Sequence, residues 1–317
     1  MSPIRYLPIA TFATLMGSAG LTLAWEKGAE LFGLPTLVSE LLLAFTCTLL
    51  VVLGLSYLVK FIRYREAVLE EFNHPIKISF FPAFSIGLML ISAAMHQYFP
   101  QVSLVLWSVG ALLQLILTLT LMNVWIHQTR TQVNHTTPAW FIPIVGNIIA
   151  PIEAVALGFT EIGWFYFSVG LVYWIVLKVL VFNRVLYHDP LPQNLLPTLF
   201  ILIAPPAVGF IAYQRLTGGA DDALAHILYY TALFLVILLS TQIGRFARLP
   251  FFISWWAYSF PLAAFTVATM LMYEKTQSSF FEWLSVVMLV VVTLLISLLA
   301  WRTLRAAVTG QLFKPDA

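Results

Sequence analysis

The sequence predicts an all-α integral membrane protein of ten transmembrane helices, on three observations. Hydrophobic residues make up 61% of the chain, charged residues only 9%, and mean hydropathy is +0.91; a soluble domain carries about 25% charged residues. Crossing a hydrocarbon core takes roughly 20 residues of helix, so ten spans fit within 317 residues and leave only short connections and tails. Prolines, finally, recur in every second apolar stretch: Pro8 in the first, Pro82 in the third, Pro143 and Pro151 in the fifth, Pro205 and Pro206 in the seventh, Pro261 in the ninth. A proline in a helix interior removes a backbone hydrogen bond and clashes with the preceding turn. In lipid that defect is tolerated where protein or water satisfies the freed groups. The chain therefore reads as five helical hairpins, with an inner ring of five kinked helices around a central pore and an outer ring of five straight helices. Residues 1–317 form one transmembrane domain in this reading.

The spans are expected at about 6–25, 36–60, 79–98, 101–126, 139–159, 163–183, 196–215, 222–244, 251–273 and 280–301. Thr217-Gly218-Gly219 and Glu161-Ile162-Gly163 mark turns between them. The longest connection, Arg63 to Lys77, carries Arg65, Glu66, Glu70 and Glu71 and reads as a solvated amphipathic helix. With both termini on the cytoplasmic side, thirteen of the sixteen Lys and Arg residues, Arg130 and Lys314 among them, fall inside; only Lys27, Arg215 and Lys275 fall outside. That asymmetry supports an even number of spans. Arg5 before an apolar run imitates a signal peptide, but Pro8, Thr11, Thr14 and Ser18 fit an uncleaved first span better. The sequon Asn134-His135-Thr136 lies on the cytoplasmic side and reads as accidental. Cys47, the single cysteine, reads as a small apolar side chain. The compact chain suggests a bacterial inner-membrane protein.

The proline-bearing spans differ from the others in more than proline. They hold Gly17, Gly20, Gly87, Gly146, Gly158 and Gly209, with Ser18, Ser85, Ser92, Asn147, Ser254 and Ser259. Small and polar residues let helices approach closely and line wet cavities. The even spans are nearly continuous Leu, Val and Ile, as in Leu284 to Leu299. In the ninth span, Ile253, Trp256, Phe260, Ala264 and Val267 recur on one helical face. Period alone favours core packing for such an aromatic stripe, although Pro261 beside Phe260 can aim that ring.

The run Trp256-Ala257-Tyr258-Ser259-Phe260-Pro261 resembles the ninth helix of the tellurite-resistance/dicarboxylate transporter family, which includes TehA-like bacterial proteins and the slow anion channels of plant guard cells. Pro138-Ala139-Trp140-Phe141-Ile142-Pro143-Ile144-Val145-Gly146-Asn147 is similar to the family's fifth-helix signature, and Ala204-Pro205-Pro206-Ala207 to its seventh. The resemblance covers essentially the whole chain. It implies a homotrimer, a separate pore in each subunit lined by the five odd helices, and a ninth-helix phenylalanine that plugs the pore; by motif match that residue is Phe260. Further pore-lining candidates are Phe12, Phe81, Phe84, Phe141, Asn147, Phe210, Trp256, Ala264 and Val267.

Glu153 stands well inside the fifth span, and an intramembrane carboxylate is a functional candidate by default. An ionised carboxylate in the lumen would repel anions. Either Glu153 is protonated, or it points toward a neighbouring helix or the outer vestibule. Lys178 snorkels at the inner end of the sixth span, Glu40 lies near the outer end of the second, and His96 and His226 lie close to the outer interface. The six histidines share no metal-ligand spacing, so no metal and no cofactor is expected. The small net charge of +2 reflects topology and gives no reason to expect nucleic acid. The leading reading is a channel for small monovalent anions such as chloride and nitrate, occluded by Phe260, with anions and membrane lipid as its partners and no enzymatic activity. The alternative is a proton-linked carrier of C4-dicarboxylates, sulfite or tellurite, with Glu153 as the coupling group.

Overall fold

The computed structural model describes residues 3–127 and 132–313, and Arg130 and Lys314 lie outside the described residues. In chain order the α-helices are α1 (Ala13–Phe32), α2 (Thr36–Arg63), α3 (Arg65–Asn73), α4 (Pro82–Met95), α5 (Pro100–His127), α6 (Phe141–Ala156), α7 (Thr160–Tyr187), α8 (Ala204–Thr217), α9 (Ala223–Ser240), α10 (Ile243–Phe246), α11 (Ser259–Thr276) and α12 (Ser279–Val308). No strand occurs among the described residues. Among the described residues, eight helical stretches are long and apolar enough to cross a membrane. Of the two other long helices, α1 carries Glu26, Lys27 and Glu30 in its last turns, and α11 carries Glu274 and Lys275 in its last turn.

Packing sorts the helices into two sets. α1 packs on α4, α4 on α6, α6 on α8, α8 on α11, and α11 back on α1, so five helices close a ring. Each remaining long helix covers two of them from outside: α2 on α1 and α4, α5 on α4 and α6, α7 on α6 and α8, α9 on α8 and α11, α12 on α11 and α1. The three inner stretches that qualify as spans are 78–83% buried, whereas the outer five are only 11–33% buried. The Leu, Val and Ile of the outer helices therefore face away from the protein, as lipid-facing surface does.

The prolines act differently from the kinks expected of them. Among the described residues, only Pro151 stands past the first turn of an α-helix, in α6. Pro82, Pro205 and Pro206 open α4 and α8, and Pro143 and Pro261 are each the third residue of their helix. Pro8 precedes the 3-10 turn before α1. In a first turn the amide has no intrahelical partner, so proline there removes no helical bond. What each inner span shows is a change of helix type. Every inner α-helix follows a 3-10 segment: Ile9–Phe12, Lys77–Phe80, Pro138–Trp140, Leu196–Ile203 and Ile253–Tyr258. These five segments touch one another in the same cyclic order as the helices. The eight residues of Leu196–Ile203 are long for a 3-10 run, which seldom exceeds four.

Buried polar side chains pin the two sets together. Gln114 of α5, fully buried, accepts from Ser85 Oγ of α4 at 2.7 Å and donates to the Pro143 carbonyl of α6 at 2.6 Å. Gly146 makes room for that amide, since a Cβ there would lie 2.3 Å from it. At the 3-10 face, Lys60 of α2 and Glu71 of α3 form a buried ion pair at 2.6 Å. Glu71 also accepts from Tyr57 and from the Ile9 amide, and Lys60 donates to the Leu7 carbonyl. The α2–α3 connection is thus only partly the solvated segment expected. Glu71 is turned inward, and it and Lys60 together grip the chain on the two sides of Pro8.

Candidate functional site: the central cavity

All five inner spans contribute to one cavity at the junction of their 3-10 and α segments. Its lining is Ala10, Ala13 and Met16 from the first; Phe80 from the third; Ile142 and Val145 from the fifth; Ile201 and Ala204 from the seventh; and Ile253, Ser254, Trp256, Ala257, Phe260 and Pro261 from the ninth. The cavity measures about 30 Å3, room for one or two water molecules. The wall is apolar because its polar groups are engaged elsewhere. Ser254 Oγ donates to the Asn194 carbonyl at 2.5 Å, and the Trp256 indole donates to Thr303 of α12 at 2.8 Å. Among the described residues, no Lys, Arg, Asp or Glu lines it.

Phe260 is the second residue of α11 and is buried. Its position depends on α1. A Cβ on Gly20 would stand 3.3 Å from the Phe260 ring, and one on Gly17 would stand 2.1 Å from the Ser259 hydroxyl. The glycines therefore allow α1 and α11 to approach closely enough for the ring to lie against the α1 backbone. Ser259 Oγ donates to the Trp256 carbonyl at 2.6 Å, tying the last 3-10 turn to the first α turn beneath the ring.

The electrostatics follow from the same junctions. Ala13, Ile142, Ala204 and Phe260 sit in the first turns of α1, α6, α8 and α11, and Phe80 just precedes α4. The positive ends of five helix dipoles therefore surround the cavity. The amides at the junctions are occupied, however: Ala13 N–H bonds to the Ala10 carbonyl, Phe81 to Ile78, Phe141 to Pro138, Ala204 to Ile201 and Ser259 to Trp256. The site offers a positive potential with no free donor at these junctions to hold an ion.

Of the residues expected at the pore, Phe260 and Trp256 line this cavity. Phe12, Phe81 and Phe84 pack instead in a ring cluster with Tyr57 of α2 and Phe72 of α3. Phe210 packs on Tyr229 of α9. Phe141 and Ala264 are buried outside the lining, and Val267 joins a smaller cluster with Ala24, Met270 and Leu289. Asn147 donates to Thr118 of α5 and to the Pro143 carbonyl. Glu153 points toward neighbouring helices, one of the placements weighed from sequence. It lies 2.6 Å from His96 Nδ1 and accepts from Ser103 of α5 at 2.7 Å. No group of three or more potential metal ligands occurs among the described residues. The lining positions that periodicity missed, such as Ala10, Phe80, Ile201 and Ala204, lie in or next to 3-10 segments. There the side-chain period is 3.0 rather than 3.6, and a helical face cannot be extrapolated across the junction.

The sequence model of the family described as voltage-dependent anion channel, SLAC1, matches residues 6–304. The chain belongs to this SLAC1 family. Its similarity to S-type anion channel SLAH3 of Arabidopsis thaliana is 27% identity over 99% of this chain and 50% of the relative. To the guard cell S-type anion channel SLAC1 of the same plant it is 26% identical, over 83% of this chain and 49% of the relative. To the tellurite resistance protein TehA homolog of Haemophilus influenzae it is 26% identical, over 97% of this chain and 93% of the relative. The chain thus spans about half the length of these plant SLAC1-family members and nearly all of the bacterial one.

Proposed function

We propose that this chain is an anion channel that conducts small monovalent anions, such as chloride and nitrate, through its own lumen, and that Phe260 occludes the lumen at rest. The carrying observation is the Phe260 ring, set in an apolar cavity to which all five inner spans contribute. An ion cannot cross hydrocarbon, so it needs a water-filled or dipole-lined route. A narrow apolar constriction excludes water and with it the ion. Surrounding helix dipoles favour anions over cations, and the absence of charged lining favours release. In this reading ten helices cross the membrane as five hairpins, residues 1–317 form one channel domain, and the prolines set the inner helix starts. The asymmetry of the basic residues supports a topology with both termini in the cytoplasm, in keeping with a bacterial inner-membrane protein. A homotrimer with one pore per subunit is the assembly the family resemblance implies.

The test is current through the purified protein in planar bilayers. Phe260→Ala is expected to raise chloride conductance by on the order of tenfold or more, the effect of removing a barrier of about 1.4 kcal/mol. Reversal potentials in chloride, nitrate and a dicarboxylate then rank the permeant anions. An unchanged conductance would remove Phe260 from the gate.

A second reading, a proton-linked carrier of C4-dicarboxylates, sulfite or tellurite, is favoured by one observation: the buried Glu153 touches a partly exposed imidazole. It requires flux that grows with a proton gradient and disappears in Glu153→Gln. A channel follows the anion's own electrochemical gradient in both proteins.

A further inference from the structure

His96 and Gln97 follow the last residue of α4, at the end of the ring opposite the cavity and the termini. These adjacent side chains reach in two directions. His96 Nδ1 meets Glu153 Oε1 of α6 at 2.6 Å, and Gln97 Nε2 donates to Glu26 Oε1 of α1. α1 and α6 are the two ring neighbours of α4. One dipeptide therefore ties three consecutive inner helices together at their far ends, each time through a carboxylate.

The His96–Glu153 contact is asymmetric in its access to water. The Glu153 side chain is 6% exposed and the His96 side chain 36%. Protons can reach the pair through the imidazole. The charged neighbours of the pair are Glu26 on α1 and Arg215 on α8, while α5 contributes only the Ser103 hydroxyl. Histidine is the side chain whose charge ordinarily changes between pH 5 and 8.

We propose that His96 is a proton-operated tie at the outer mouth, which sets how strongly that mouth repels anions. This rests on the anion-channel reading and the topology that puts this end outside. With a neutral imidazole, His96 Nδ1–H donates to an ionised Glu153 and the pair carries a net negative charge beside Glu26. One proton from the outer solution converts the pair to imidazolium and carboxylate, with no net charge and a stronger contact. No proton passes through the protein, and nothing is transported with it. Removing one negative charge from a water-filled mouth raises the local anion concentration there, on the order of twofold for a unit charge acting across about 10 Å of water.

Two measurements on the full-length protein test the proposal. The first is the ring-proton NMR spectrum of detergent-solubilised protein, which is independent of conduction. A downfield Nδ1–H resonance assigned to His96 is expected in the wild type and should vanish in Glu153→Gln; no such resonance, or one that survives the substitution, overturns the tie. The second is chloride current through Phe260→Ala with the pH of each side stepped separately from 8 to 5. Acidifying the outer side is expected to raise the current on the order of twofold, acidifying the inner side to leave it unchanged, and Phe260→Ala/His96→Gln to lose the response. A response that persists without His96, or no response in an open Phe260→Ala channel, overturns the proposal and leaves the channel reading standing. Should Phe260→Ala pass no anion, the channel reading fails and the role of His96 at an anion mouth falls with it.

Discussion

The inner and outer helices of this protein invert the rule of soluble proteins. The outer five are the more hydropathic and the less buried; the inner ones carry more Gly and Pro, and the three of them that qualify as spans are about four-fifths buried. In water, apolar residues go inside because burial is where their free energy falls. In lipid the outside is already apolar, so Leu, Val and Ile gain little by turning inward, and burial goes to residues that pack closely or hydrogen-bond across helices. The inner ring is therefore chosen by backbone approach and polar satisfaction: Gly17 against Ser259, Gly146 against Gln114, Gln114 against Ser85 and Pro143. A ring held in this way can enclose a small apolar cavity without lipid entering it.

Substitutions at matched positions can break or sharpen that contrast. The largest expected effect on stability is at the Lys60–Glu71 pair, which holds the first inner segment to the outer α2. Lys60→Met leaves a buried carboxylate unpaired and is expected to cost about 3–5 kcal/mol, with Lys60→Met/Glu71→Leu recovering part of the loss; thermal unfolding in detergent reads both. Next comes Gly17→Ala, where the new Cβ would clash with Ser259 backed by the α11 backbone; overpacking of this kind costs about 1–3 kcal/mol. Gln114→Leu removes the amide that links Ser85 of α4 to the Pro143 carbonyl of α6, while Ser85 keeps the Pro82 carbonyl and Pro143 keeps Asn147 and Thr118; the expected cost is about 1 kcal/mol, in the range of interhelical bonds in a membrane protein. The smallest effect belongs to the outer face. A Cβ on Gly54 of α2 meets nothing within 4 Å, so Gly54→Ala is expected to be neutral or to add up to about 1 kcal/mol through helix propensity. A Gly54→Ala as damaging as Gly17→Ala would erase the distinction between the two sets.

The division into two sets was legible in the sequence because it is a contrast in composition, spread over whole spans and marked by proline. The five proline-bearing stretches are the five that close the ring. Where each inner span changes helix type was not legible. Proline reads alike whether it kinks an α-helix or starts one, and only the 3-10 segments before Pro82, Pro205 and Pro261 show that most of these prolines are starts. The same change of period explains the lining. The face Ile253, Trp256, Phe260 follows the cavity, while Ala264 and Val267, extrapolated from it, leave it. Gln114 carries a signal in the sequence, an amide at the middle of a span rich in Leu and Val. Glu71 carried none, since a buried glutamate in a charged connection looks like its solvated neighbours Glu66 and Glu70 until Lys60 and the Ile9 amide are seen around it.

The most direct test of an ion path enclosed by the inner ring uses a single cysteine. In a Cys47→Ala, Phe260→Ala background, Ala204→Cys places a thiol in the cavity wall, and Val51→Cys places one on the exposed face of α2. A charged, membrane-impermeant thiol reagent applied from the side of the termini is expected to abolish the chloride current of the Ala204→Cys protein and to leave that of Val51→Cys unchanged. Current that survives modification at Ala204 would mean that anions travel by a route other than the lumen.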